Sequence, residues 1–113
     1  MPATQQRAPH VETVPWRFVT TNRHALKQKV LDALERGAKG IILDLSATSY
    51  IDSAGLGVLY KLHFDATKVG ARLILVGANE DIQELLVMTK LAGVLVQSPS
   101  IAEARALLEA PAT

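Results

Sequence analysis

An almost wholly apolar run, Gly40-Ile41-Ile42-Leu43-Asp44-Leu45, is followed through a short polar loop by Tyr50-Ile51-Asp52-Ser53-Ala54-Gly55-Leu56-Gly57-Val58-Leu59. The first run reads as a central strand covered on both faces, since a half-exposed strand would alternate apolar with polar. The second run opens a helix-patterned stretch that continues to about Val69. Asp52 and Ser53 therefore fall where a buried strand has ended and a helix begins. Such a corner offers free backbone N–H groups and the positive end of a helix dipole, so it favours negative charge. A hydroxyl placed there can cap the helix or carry a phosphate.

The rest of the chain repeats this alternation. His10 to Thr20 is rich in β-formers but interrupted by Pro15, which predicts one or two short strands, with Pro15 either at an edge position or at a break between the two. Asn22 is a plausible N-cap for a helix to about Arg36, with Leu26, Val30, Ala33 and Leu34 at helical spacing and Gly37 at its end. Arg72 to Gly77 reads as a second buried strand, and Asn79 as the cap of a third helix. Val94-Leu95-Val96 reads as a short strand after Gly93, and Ser100 with Glu103 as a capping box for a last helix. Strands alternating with helices over short connections predict an α/β single domain. We expect a mixed, mostly parallel sheet of about four to five strands packed with about four helices. Residues 1–9 are expected to form a disordered tail, 10–110 the domain and 111–113 a C-terminal tail.

At 100° per residue, Gly55, Val58, Leu59, Leu62, Ala66 and Val69 form one apolar stripe on the second helix, and Gly57, Lys61, Asp65 and Lys68 a polar one. Leu56, Tyr60, His63, Phe64 and Thr67 make a further flank. Either that flank wraps into the core, or it rises from the Ser53 corner as a partly exposed partner patch.

Most chemistry finds no foothold. With 113 residues and a net charge of +1, there is no basic face for nucleic acid. The absence of cysteine excludes disulfides, thiol catalysis and Cys-based zinc sites. No apolar run is long enough for a membrane span, the N-terminus lacks a signal-peptide core, and a cytoplasmic protein is expected. Gly55-Leu56-Gly57 lacks the Lys-Ser or Lys-Thr of a P-loop and the third glycine of a dinucleotide motif. His10, His24 and His63 fall at no metal-ligand spacing. Ser53 is not within Gly-x-Ser-x-Gly and has no base that the sequence can name. Asp44 and Asp52 are more simply explained by capping and loop hydrogen bonds than by paired-carboxylate catalysis. No cofactor and no enzymatic activity are expected.

The residues around Ser53 resemble the signature of a known family. Asp44-Leu45-Ser46 followed by Tyr50-Ile51-Asp52-Ser53-Ala54-Gly55-Leu56-Gly57-Val58-Leu59 is similar to the STAS domain (sulfate transporter and anti-sigma factor antagonist), in particular its stand-alone bacterial antagonists. The likeness runs from about Leu26 to Glu109. It implies phosphorylation of Ser53 by a partner that is both serine kinase and anti-sigma factor. It further implies that the unphosphorylated protein binds this kinase and frees a sigma factor, and that a PP2C-type phosphatase restores binding. On this resemblance Asp52, Ser53, Ala54, Gly55, Leu56, Gly57 and Tyr60 form the partner-binding surface, while ATP belongs to the kinase.

Two departures stand out. Trp16-Arg17-Phe18-Val19 occupies about the place of the family's usual Gly-x-Leu-Asp turn, and Ala54 replaces a frequent second serine. The unusual N-terminal segment leaves a homodimer open. The alternatives to a phosphorylation switch are a non-switching STAS scaffold or regulatory subunit of a larger assembly, and a weak nucleotide-binding domain.

Overall fold

The computed structural model describes residues 8–109, so residues 1–7 of the expected N-terminal tail (1–9), residue 110 and the whole expected C-terminal tail (111–113) lie outside the described residues. The chain runs β1 (His10–Thr13), β2 (Arg17–Phe18), α1 (Arg23–Glu35), β3 (Gly40–Asp44), β4 (Tyr50–Ile51) and α2 (Ser53–Lys68). It continues through β5 (Arg72–Val76), α3 (Glu80–Met88), β6 (Val96–Ser98) and α4 (Ile101–Glu109). Strands β1-β3-β5-β6 form one sheet in that order, and β2 pairs with β4 in a separate two-stranded ribbon.

Every pairing among the described residues is parallel, in line with the expected mostly parallel sheet. The cause is connectivity. Each strand of the main sheet is reached from its predecessor through a helix, and no hairpin turn joins two neighbours. Pro15 separates β1 from β2, and β1 lies at the sheet edge, where the missing N–H of a nearby proline is tolerated.

The continuous apolar runs are explained by two cores. Ile41, Leu43, Leu73 and Leu75 face the larger core, with Val30 of α1 and Leu59 and Leu62 of α2. Ile42, Ile74 and Val76 point to the opposite face, where Ala104 of α4 closes a smaller cluster with Ile101 and Leu108. Strand alternation thus feeds both layers, and no position in β3 before Asp44 is left for solvent.

Helix boundaries follow their end signals. Gly37 (φ 93°) and Gly70 (φ 76°) close α1 and α2 in the left-handed region. Asn79 Oδ1 accepts from the Ile82 N–H at 2.8 Å, and Ser100 Oγ from the Glu103 N–H at 3.1 Å. Asn22 stands at the cap position of α1 without a side-chain cap bond. Its Oδ1 instead accepts from the Val19 N–H, and its Nδ2 donates to the Arg17 carbonyl.

Strand β6 starts at Val96, not Val94. A 3₁₀ turn at Leu91–Gly93 intervenes, and the Val94 and Leu95 N–H groups both donate to the Leu91 carbonyl. Those donors are spent on the turn, so the ladder to β5 begins at the next residue, with Val96 opposite Ile74.

Candidate functional site

The β2–β4 ribbon brings two distant pieces of sequence to the start of α2. Two residues a side cannot hold a ribbon together alone. Phe18 and Ile51 are buried in the larger core and fix it there. Gly55 permits the close approach: a Cβ at that position would lie 2.3 Å from the Phe18 carbonyl oxygen. Gly57 has no such role, since a Cβ there would meet nothing within 4 Å. Close packing therefore accounts for Gly55 and not for Gly57.

Asp52 is the hub of this corner. Its extended backbone (φ −90°, ψ 179°) places it at the N-cap of α2, where Oδ1 accepts from the Gly55 N–H at 2.8 Å. Oδ2 accepts from both the N–H and the Oγ1 of Thr20, at 2.9 and 3.0 Å. The Asp52 N–H donates to the Phe18 carbonyl. The Gly55 amide first and then the Thr20 amide, with a lesser share from the Thr20 hydroxyl, hold the Asp52 carboxyl below the usual carboxylate range against the opposing effect of desolvation.

A depressed folded-state pKa stabilises the fold above the unfolded value and ceases to do so as pH falls through the folded one. Asp52→Asn should therefore be less stable than wild type at neutral pH. The difference should shrink below about pH 4, where the carboxylates of the unfolded chain take up protons. Denaturant melts of both proteins across pH 2–7 check this; a gap that is constant with pH contradicts it.

Because Asp52 caps the helix, Ser53 does not, which corrects the reading of Ser53 as a cap. Ser53 is the first residue of α2, exposed, and its hydroxyl has no hydrogen-bond partner among the described residues. Asp44 keeps to its own loop, accepting from the Ser46 N–H and hydroxyl, and does not pair with Asp52.

The α2 flank splits between the two placements the sequence left open. Leu56 is only 6% exposed and belongs to the core, whereas Tyr60 and Phe64 are 43% and 56% exposed. Their rings stack at 6.5 Å between centroids, and the Lys68 ammonium lies over Phe64. Gly55 is buried, Ala54 half-buried and Gly57 exposed. Ser53 also borders an open groove of about 400 Å³ whose walls include Tyr50, Ile51, Leu56, Ile82 and Leu85. Among the described residues, no cluster of His, Cys, Asp or Glu side chains could hold a metal, and no helix is long and apolar enough to cross a membrane.

A family model of the STAS domain matches residues 2–104. The chain belongs to the STAS domain family. A Thermotoga neapolitana protein named a candidate anti-sigma factor antagonist, homologous to TM1081, is 34% identical over 84 residues, 74% of each chain. The crystal structure of TM1081 from Thermotoga maritima, named in the same way, matches this STAS domain with a TM-score of 0.79. Identity to it is 29%, over 88% of both chains. The Bacillus cell fate determinant SpoIIAA in its phosphorylated form shares the fold at 19% identity, with a TM-score of 0.68. That match covers 87% of this chain and 88% of SpoIIAA.

Thr20 is the site residue that the sequence did not offer. Thirty-two positions separate it from Asp52, and within Val19-Thr20-Thr21 it reads only as a β-former.

Proposed function

We propose that this STAS domain is an anti-sigma factor antagonist switched by phosphorylation of Ser53. The observation that carries the reading is the Ser53 hydroxyl, exposed at a helix N-terminus and released from capping by Asp52. A phosphate there adds about −1.5 to −2 charges at a point the helix dipole favours, so the fold tolerates it. It also sets that charge beside the ionised Asp52 and at the rim of the apolar groove, where a docked partner would have to bury it.

The unphosphorylated protein binds an anti-sigma factor that is also a serine kinase, and a sigma factor is freed. Phosphorylation ends that binding, and a PP2C-type phosphatase renews it. The partner surface includes Asp52, Ser53, Ala54, Gly57 and the exposed Tyr60, with Gly55 and Leu56 supporting it from beneath. The protein works in the cytoplasm without a cofactor and catalyses nothing itself. The names of two relatives, at 34% and 29% identity, support the antagonist role.

Incubation with ATP and the serine-kinase-type anti-sigma factor of the source organism tests the modification by intact mass. We expect one phosphate on wild type and none on Ser53→Ala. Equal phosphate on both proteins, or none on wild type, contradicts the assignment.

A further inference from the structure

The two oxygens of Asp52 serve two different elements: Oδ1 holds the first turn of α2, and Oδ2 holds Thr20, just beyond β2. The segment around Thr20 is closed on itself by Asn22, which bonds Val19 and Arg17, and is joined to the loop before β4 through the Trp16 carbonyl. Two large side chains project from this stapled corner. Trp16 is 64% exposed, and the Arg17 guanidinium lies 5.1 Å from the centroid of the Tyr50 ring. Tyr50 in turn borders the same groove as Ser53 and Leu56. Trp, Tyr and Arg are the residue types that dominate interface energetics. Here they stand together on a surface continuous with the phosphoacceptor.

We propose that Thr20 is a positioning residue of the Ser53 site, holding the Trp16–Arg17 corner against α2 so that the kinase partner contacts corner and serine as one surface. The inference rests on the reading of Ser53 as the phosphoacceptor. Thr20 touches no reacting atom; it acts through Asp52. An aliphatic residue of the same shape keeps its backbone N–H bond to Oδ2 but loses the hydroxyl bond. The corner then retains its fold and loses half of its attachment to the carboxylate.

Steady-state phosphorylation of Ser53 by the serine-kinase-type anti-sigma factor of the source organism tests this in wild type, Thr20→Val, Thr20→Ser, Trp16→Ala and the Thr20→Val/Trp16→Ala pair. Thr20→Val should raise KM about tenfold, the worth of one hydrogen bond to a charged group, with kcat within about twofold. Thr20→Ser, which keeps the hydroxyl, should restore wild-type KM. Trp16→Ala should raise KM as well, and the pair should be little worse than the more affected single variant, because both act on the same contact. An unchanged KM for Thr20→Val, or single effects that multiply in the pair, overturns the inference while leaving Ser53 as the acceptor. A wild type that takes up no phosphate overturns both.

Discussion

Replacing Gly55 with alanine is expected to destabilise the protein by about 2 kcal/mol, although alanine is the better helix former by nearly 1 kcal/mol. The added methyl would sit 2.3 Å from the Phe18 carbonyl oxygen and 3.0–3.1 Å from the Phe18 ring and the Ile51 side chain. The oxygen is backbone, already accepts from the Asp52 N–H, and belongs to a ribbon whose Phe18 is wholly buried. It can move only if the ribbon lifts from α2. At this chain length the loss should lower the melting temperature by roughly 10 °C. Gly57→Ala provides the contrast, since its Cβ would meet open space. That change should be neutral or stabilising by up to ~1 kcal/mol. Thermal melts of the two variants should therefore move apart. Movement in the same direction by the same amount would show that α2 is not seated on the ribbon as described.

Ser53→Asp is expected to leave the fold within about 0.5 kcal/mol of wild type and to weaken kinase binding about a hundredfold. An acidic residue in the first turn of α2 complements the helix dipole, and the wild-type hydroxyl gives up no hydrogen bond within the described residues. The binding loss has a different origin. A second carboxylate beside the ionised Asp52 meets the partner at the rim of an apolar groove, and desolvating such a charge without a counter-ion costs several kcal/mol. Ser53→Ala adds no charge and should bind as wild type does. Calorimetric titration with the kinase separates the three proteins. Equal affinities would favour a STAS scaffold that keeps its partner whatever stands at position 53.

The parts of this architecture written in local patterns were legible in the sequence. The unbroken apolar runs at Ile41–Leu43 and Leu73–Val76 announced strands covered on both faces, as the two cores require. Asn79, Ser100 and Gly37 marked helix ends through short-range chemistry that holds in the structure. Long-range contacts were not legible. The ribbon pairs Arg17 with Tyr50 and Phe18 with Ile51, over thirty residues away, and nothing within either dipeptide announces the partner. For the same reason Thr20 was invisible as a ligand of Asp52. The sequence left both Asp52 and Ser53 as caps of α2, because Asp and Ser are near-equal caps. Only the backbone, extended at Asp52 and helical from Ser53, decides between them. At the flank of α2, periodicity placed Leu56 and Tyr60 together, yet the first is core and the second surface. Which of two adjacent faces a neighbouring element covers is a tertiary fact.

The switch itself is tested most directly on one preparation of the wild-type protein, by measuring its affinity for the kinase before phosphorylation, after it, and after treatment with a PP2C-type phosphatase. Tight binding, its loss by about a hundredfold or more, and its full return is the predicted sequence. The same affinity in all three states, with one phosphate confirmed on Ser53 in the second, would contradict the account.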